Sequence, residues 1–175
     1  MKLKTLLFSL LLLPFLWGCA DSHNLELMAL NTNIKLKSGD SVYIAQSKDG
    51  IYGSKHYQGS GQMVNQVIQA ELLAKLNHID TATAYSSYKD TIQYATENNY
   101  DFLIYPTILH WEDRATEWSG IPDKVKLKIT IIDLKTHTEV KTGIIDGQSG
   151  LATLGGDHPQ DLLPEPIKAF MQDVL

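Results

Sequence analysis

The chain has 175 residues, with 15 basic and 20 acidic side chains and a formal charge of −5. An acidic balance fits poorly with nucleic acid or anionic lipid headgroups, so neither is expected as a partner. One cysteine leaves no internal disulfide, and the length is that of a single domain.

The first twenty residues read as an export signal. Lys2 and Lys4 precede an apolar run from Leu6 to Trp17, interrupted only by Ser9 and Pro14, which ends at Leu16-Trp17-Gly18-Cys19-Ala20. The run is about a dozen residues, short of the ~20 that a spanning helix needs, so cleavage is expected rather than retention as an anchor. Leu16, Gly18 and Cys19 resemble the lipobox of bacterial lipoprotein signals, although Trp17 is bulkier than the usual occupant of its position. That resemblance implies acylation of Cys19, palmitate included, and cleavage before it. The plainer alternative is an incidental cysteine in an ordinary signal peptide. An unpaired thiol in an oxidising compartment is a liability that acylation removes. Two or three acyl chains would hold the protein on a membrane at ~0.8 kcal/mol per buried methylene. In enteric signals an aspartate directly after the cysteine favours the inner membrane. Ala20 stands there instead, which implies the inner leaflet of the outer membrane, facing the periplasm. Loss of Met1 to Gly18 removes two lysines and leaves 157 residues with 13 basic side chains against 20 acidic.

Residues 19–40 are expected to be a lipidated tether, with a short irregular or helical piece at Leu25–Leu30 and a weak edge strand at Ile34 and Leu36. Ser38-Gly39-Asp40 is a turn signal. Ser41–Gln46 is β-rich and nearly continuously apolar, as in a strand buried on both faces. Ser47–Gly61, with four glycines, reads as a loop. From Gln62 to Asn77 an apolar stripe at Val64, Val67, Ile68, Leu72 and Leu76 predicts a helix, with Gln66 and Gln69 among its polar positions. Thr81–Ser86 is a second β-rich run. Ser87 with Asp90 makes a capping pattern for a helix that ends near Asn98-Asn99. Asp101–Trp111 is the strongest strand, with Pro106 predicting a bulge or a local edge. Val125, Leu127, Ile129 and Ile131 alternate with polar residues in a strand with one buried face. A turn at Asp133–Thr138 returns the chain through Glu139–Gly147. A final helix starts near Leu163, with prolines in its first turn and Ile167, Phe170, Met171 and Val174 as its buried stripe.

The expected class is therefore α/β (α+β): a mixed five-stranded sheet of order β-α-β-α-β-β-β-α with helices packed on it. The domain organisation is signal peptide 1–18, tether 19–40 and one globular domain 41–175.

Several segments together resemble a proteobacterial envelope-lipoprotein family, domain-of-unknown-function family 4823. They are the lipobox, Tyr43-Ile44-Ala45-Gln46, Trp111 through Ser119, Leu127–Thr136 and Asp157–Leu163. In topology the element order is also similar to the amino-terminal domain of TolB and the periplasmic domain of CsgG. Neither likeness implies a catalytic residue. Both imply a periplasmic binding or assembly module.

Candidate sites are few. Gly59-Ser60-Gly61 before a helix could cradle a phosphate, but it lacks the remaining signature residues, and a flexible loop is the plainer reading. His110 and Glu112 share a strand face and are metal-capable. They would need ligands from elsewhere, such as His56 or His158, so no metal and no cofactor is expected. Arg114, the only arginine, lies among Glu112, Asp113 and Glu117 and between Trp111 and Trp118. Trp111, Glu112, Asp113, Arg114 and Trp118 could form a recognition loop for an envelope protein or glycan partner. The plainer alternative is a clamp, with Arg114 paired internally. No nucleophile motif is present, so a non-enzymatic role is expected, with self-association open. The competing reading is a small periplasmic enzyme or ligand-binding protein with a pocket at the strand ends.

Overall fold

The computed structural model describes residues 21–31, 33–114, 121–150 and 158–175. Cys19 and the whole signal segment lie outside them, as does Trp118. The described residues form eight strands and three α-helices, in order: β1 (Ser22–Leu30), β2 (Ser41–Gln46), β3 (Gly50–Tyr52), β4 (Lys55–Tyr57), α1 (Ser60–Leu73), β5 (His78–Tyr85), α2 (Tyr88–Glu97), β6 (Phe102–Glu112), β7 (Lys124–Asp133), β8 (Thr138–Gln148) and α3 (Pro164–Met171). A 3-10 turn at Pro159–Leu162 leads into α3. The main sheet has the order β1-β8-β7-β6-β2-β5, while β3 and β4 form a separate hairpin. β5 and β6 run parallel to β2 on its two sides, and β6, β7, β8 and β1 form an antiparallel meander. The mixed sheet with packed helices is as the sequence predicts.

Two expectations fail within that architecture. The sheet has six strands, because Ser22–Leu30 is not tether but an edge strand paired antiparallel with β8. An edge strand hydrogen-bonds one neighbour and need not bury a face, so its alternation is weak. A register shift between Leu27 and Ala29 weakens it further. Ile34 and Leu36, by contrast, form no strand. Leu36 is buried, and its amide donates to the carbonyl of Val174 at 2.8 Å, fastening this crossing segment to the C-terminal end.

The sheet buries both faces, unequally. On one face β7 contributes Val125, Leu127, Ile129 and Ile131, as its alternation predicts, and these pack with α1 and α3 through Ile68, Leu72, Ile167 and Phe170. On the other face a smaller cluster of Ala45, Leu103, Ile132 and Leu134 meets Ala95 of α2. Tyr43, Tyr94 and Tyr100 extend that layer, with ring centroids 5.0 and 5.1 Å apart. Ser87 caps α2, its hydroxyl accepting from the Asp90 amide. Asn99 closes the helix at φ 60°, the left-handed conformation that asparagine tolerates. Pro106 sits just past Ile104, the last β6 residue paired with β2, and the β6–β7 register shifts between Ile108 and His110.

Lys141 of β8 is fully buried under α3. Its ammonium donates to the carbonyl of Phe170 at 2.5 Å and to the carboxylate of Asp173 at 3.1 Å. A cation at a helix C-terminus meets the negative end of the helix dipole, which suits this docking.

Candidate functional site

The end of β6 carries the residues on which the sequence places the most weight. Glu112 is 3% exposed. Its Oε2 lies 3.1 Å from Nε2 of His110, and its Oε1 accepts from both Nε and Nη2 of Arg114. Nη2 of Arg114 also donates to the Tyr52 hydroxyl at 3.2 Å, and the guanidinium stands over the Tyr52 ring, 5.6 Å from its centroid. The Tyr52 and His110 rings meet edge to face at 5.2 Å, closing the circuit. Burial alone would raise the Glu112 carboxyl. The hydrogen bonds from His110 and Arg114 outweigh it and hold the group below the ordinary glutamate range. The same hydrogen bond raises Arg114 above its usual value.

A second ring of contacts fixes the backbone. The Asp113 amide donates to the Tyr57 hydroxyl, while the Asp113 carbonyl accepts from Tyr57 and from Lys55. The Asp113 carboxylate lies 3.5 Å from Nδ1 of His158, an ion-pair distance outside hydrogen-bond geometry. The Arg114 amide donates to the carboxylate of Asp123. Burial nevertheless pushes the Asp123 carboxyl up, with the Arg114 amide opposing it. Asp123 and Ser149 exchange hydrogen bonds of 2.8 and 3.0 Å across the start of β7 and the end of β8.

Trp111 corrects the expectation of an exposed recognition residue. It is 2% exposed and belongs to the main core. Its Cβ would lie 2.3 Å from a Cβ added at Gly50, so the hairpin β3–β4 seats directly on it. The sequence reads as a loop over 47–61, which hides Tyr52 and Tyr57, and nothing in it marks Asp123 before β7 as a partner. The structure gathers Glu112, Asp113 and Arg114 with these three into a clamp that ties the hairpin to the strand ends. The second of the two readings of Arg114 thus describes its geometry. No three His, Cys, Asp or Glu side chains converge as metal ligands among the described residues.

The Gly59-Ser60-Gly61 amides are also accounted for. Asp49 accepts from Gly59 at 3.1 Å and from Gly61 at 2.9 Å, so a carboxylate of this chain sits where an anion would bind. The Ser60 hydroxyl accepts from the Gly50 amide at 2.8 Å. Gly59, at φ +85°, makes the left-handed turn into α1.

Fold and site together define a mixed-sheet α+β domain with an internally paired polar clamp at one end. The chain belongs to the family described as "Domain of unknown function (DUF4823)", whose model matches residues 34–174. No curated protein matches it in sequence. Among solved structures it is similar to the PelC dodecamer from Paraburkholderia phytofirmans, with a TM-score of 0.65 at 12% identity over 87% of this chain and 97% of that one. Lipoprotein GNA1162 from Neisseria meningitidis overlaps at TM-score 0.47 and 12% identity, over 63% of this chain and 83% of that one. TolB from Acinetobacter baumannii overlaps at 0.46 and 6% identity, over 87% of this chain and 30% of that one. At such identities the PelC likeness is one of fold.

Proposed function

We propose that this chain is a lipid-anchored protein of the bacterial envelope that works by assembly, with copies of itself foremost, and not by catalysis. The observation that carries the reading is the free edge of β1. Among the described residues this nine-residue strand pairs with β8 alone, and Leu27 and Met28 are 44% and 59% exposed along it. A long edge with exposed apolar side chains is a template for another chain unless something covers it. The PelC fold, crystallised as a dodecamer, supports self-association as the cover. Acylation of Cys19 would place the domain on a membrane, and Ala20 after it favours the outer membrane facing the periplasm. The internal pairing of Glu112 with His110 and Arg114 supports a non-enzymatic role, since these ionisable groups are engaged with one another.

The test is the mass of the protein purified from membranes in mild detergent, measured by light scattering over a dilution series. An oligomer that Met28→Lys dissociates supports the reading. A monomer at every concentration overturns it. Photocrosslinkers at positions 28 and 118 separate an edge contact from one made through the segment that carries Trp118. Cys19→Ser should move the protein out of the membrane fraction, and unchanged sedimentation would remove the anchor from the proposal.

A further inference from the structure

A crevice of about 460 Å³ opens beside α1, at the carboxyl ends of the parallel strands β2 and β5. That volume lies in the usual range of small-molecule sites, roughly 300–1,000 Å³. Its place is also a usual one. β2 leads into α1 on one face of the sheet and β5 into α2 on the other, so a crevice forms where the connections part.

The chemistry of the lining is narrow. Four carboxamides, Gln62, Asn65, Gln66 and Gln69, descend α1 at positions i, i+3, i+4 and i+7, and Gln46 at the end of β2 faces them. Thr81 and Thr83 add hydroxyls from β5, and Ala82 is the one apolar side chain among the described lining residues. A polar helix face turned to water would need no explanation. Asn65, however, is 1% exposed. Its Nδ2 donates to Oε1 of Gln46 at 3.0 Å, but its Oδ1, and the buried Oγ1 of Thr81, make no hydrogen bond within the chain. Buried acceptors without partners are costly, and each calls for a reason.

We propose that this crevice is a binding site for a neutral saccharide. A carboxamide presents donor and acceptor together, and so does each sugar hydroxyl, so the two groups are matched at every contact. Other ligand classes fit less well. Among the described residues the lining holds no lysine, arginine or histidine to receive a phosphate or carboxylate. Asp49, the one acid among the described lining residues, already accepts from the amides of Gly59 and Gly61, and one carboxylate among carboxamides is too few ligands for a cation site. A peptide would bring side chains that need apolar pockets, and one alanine methyl supplies none. This site is independent of the anchor and of self-association.

The test is side-chain amide NMR on the full chain in detergent micelles, labelled at Gln and Asn, titrated with maltotriose and with the disaccharide of N-acetylglucosamine. Inorganic phosphate and acetate are the charged controls. The site predicts shifts at the amides of Gln46, Asn65, Gln66 and Gln69 with a saccharide and none with the anions. The Gln62→Leu/Gln66→Leu variant alters two exposed positions and so leaves the core intact. It should weaken binding about tenfold or more, the loss of one or two hydrogen bonds. Amides unmoved by either saccharide at about 50 mM, well above the roughly millimolar affinity at issue, would overturn the proposal. Shifts driven by the anions, or saccharide shifts that persist undiminished in the variant, would overturn it equally.

Discussion

The buried ammonium of Lys141 offers an asymmetric test of how α3 is held. Lys141 is fully buried, while the side chain of its partner Asp173 is 53% exposed. In Lys141→Met the two charge-assisted hydrogen bonds disappear, each worth roughly 1.5–3 kcal/mol. Relief from desolvating the ammonium, an effective penalty of about several kcal/mol, offsets them. Asp173 is left half in water, where an unpaired carboxylate costs little. The net change should lie within about 1 kcal/mol of zero. Asp173→Ala does the reverse and leaves the buried ammonium with the carbonyl and ring of Phe170 and no carboxylate. It should cost about 2 kcal/mol, less than a fully enclosed pair because water already screens Asp173. In a domain of this size that is a Tm lower by roughly 4–8 °C. Urea titrations of both single variants and the double variant, followed by circular dichroism, measure the terms and their coupling. The double variant should be no less stable than Lys141→Met alone. If Lys141→Met proves the more damaging single change, the pair supplies net stability and the desolvation argument is wrong.

Gly50→Ala should destabilise by about 1–3 kcal/mol, because the new Cβ meets Trp111 at 2.3 Å and the hairpin must lift; a fluorescence change of Trp111 with unfolding at lower urea would register it. Trp111→Ala should cost more, about 3–5 kcal/mol, as a core truncation. Asp49→Ala removes the acceptor for Gly59 and Gly61 and should lower stability by about 1 kcal/mol, with faster amide exchange confined to the start of α1. Glu112 and Asp101 both titrate below their ordinary values, Asp101 chiefly through its hydrogen bond from Lys135. Their stabilisation is present above the ordinary carboxyl range near ~4 and is lost as pH falls through their lower folded values. Asp123, raised by burial, contributes in the opposite sense: its term is full below the unfolded value and fades as pH rises through the folded one. Glu112→Gln should therefore flatten the acid limb of a stability-versus-pH curve, and Asp123→Asn should steepen it.

The elements that read clearly from the sequence are those whose side chains face a single environment. β7 alternates because one face meets α1 and α3, and α2 begins where a serine and an aspartate cap it. β1 carries no such mark, since both its faces are largely exposed and it leans on β8 through backbone bonds. The β3–β4 hairpin has three residues a side, too few for a period to emerge. Its contribution to the clamp was hidden with it: a lone arginine among acids predicts an internal pair, but Tyr52 and Tyr57 are some 60 positions away in the chain. Lys141 misleads for another reason. It stands between Val140 and Thr142, all three buried, beside a register shift at Ile131/Ile132 that spoils the strict alternation.

The two polar clusters of this domain also differ in what they leave undone. Around Glu112 the charged side chains are engaged with one another, save one Asp113 oxygen that lies 3.5 Å from His158 without a hydrogen bond, and the hairpin, β6 and β7 are stitched together by them. A ligand there would have to break bonds already made, at about 1.5–3 kcal/mol for each one to a charged group. Beside α1 the unused acceptors are neutral: Oδ1 of the buried Asn65 and the buried Oγ1 of Thr81 accept no hydrogen bond within the chain. A ligand that donates to them gains hydrogen bonds without displacing any within the chain. Conspicuous charge and tryptophan draw attention to the first cluster, and a run of glutamines passes as ordinary helix surface. Unsatisfied chemistry, rather than conspicuous residue types, makes the α1 crevice the better place to look for a bound molecule.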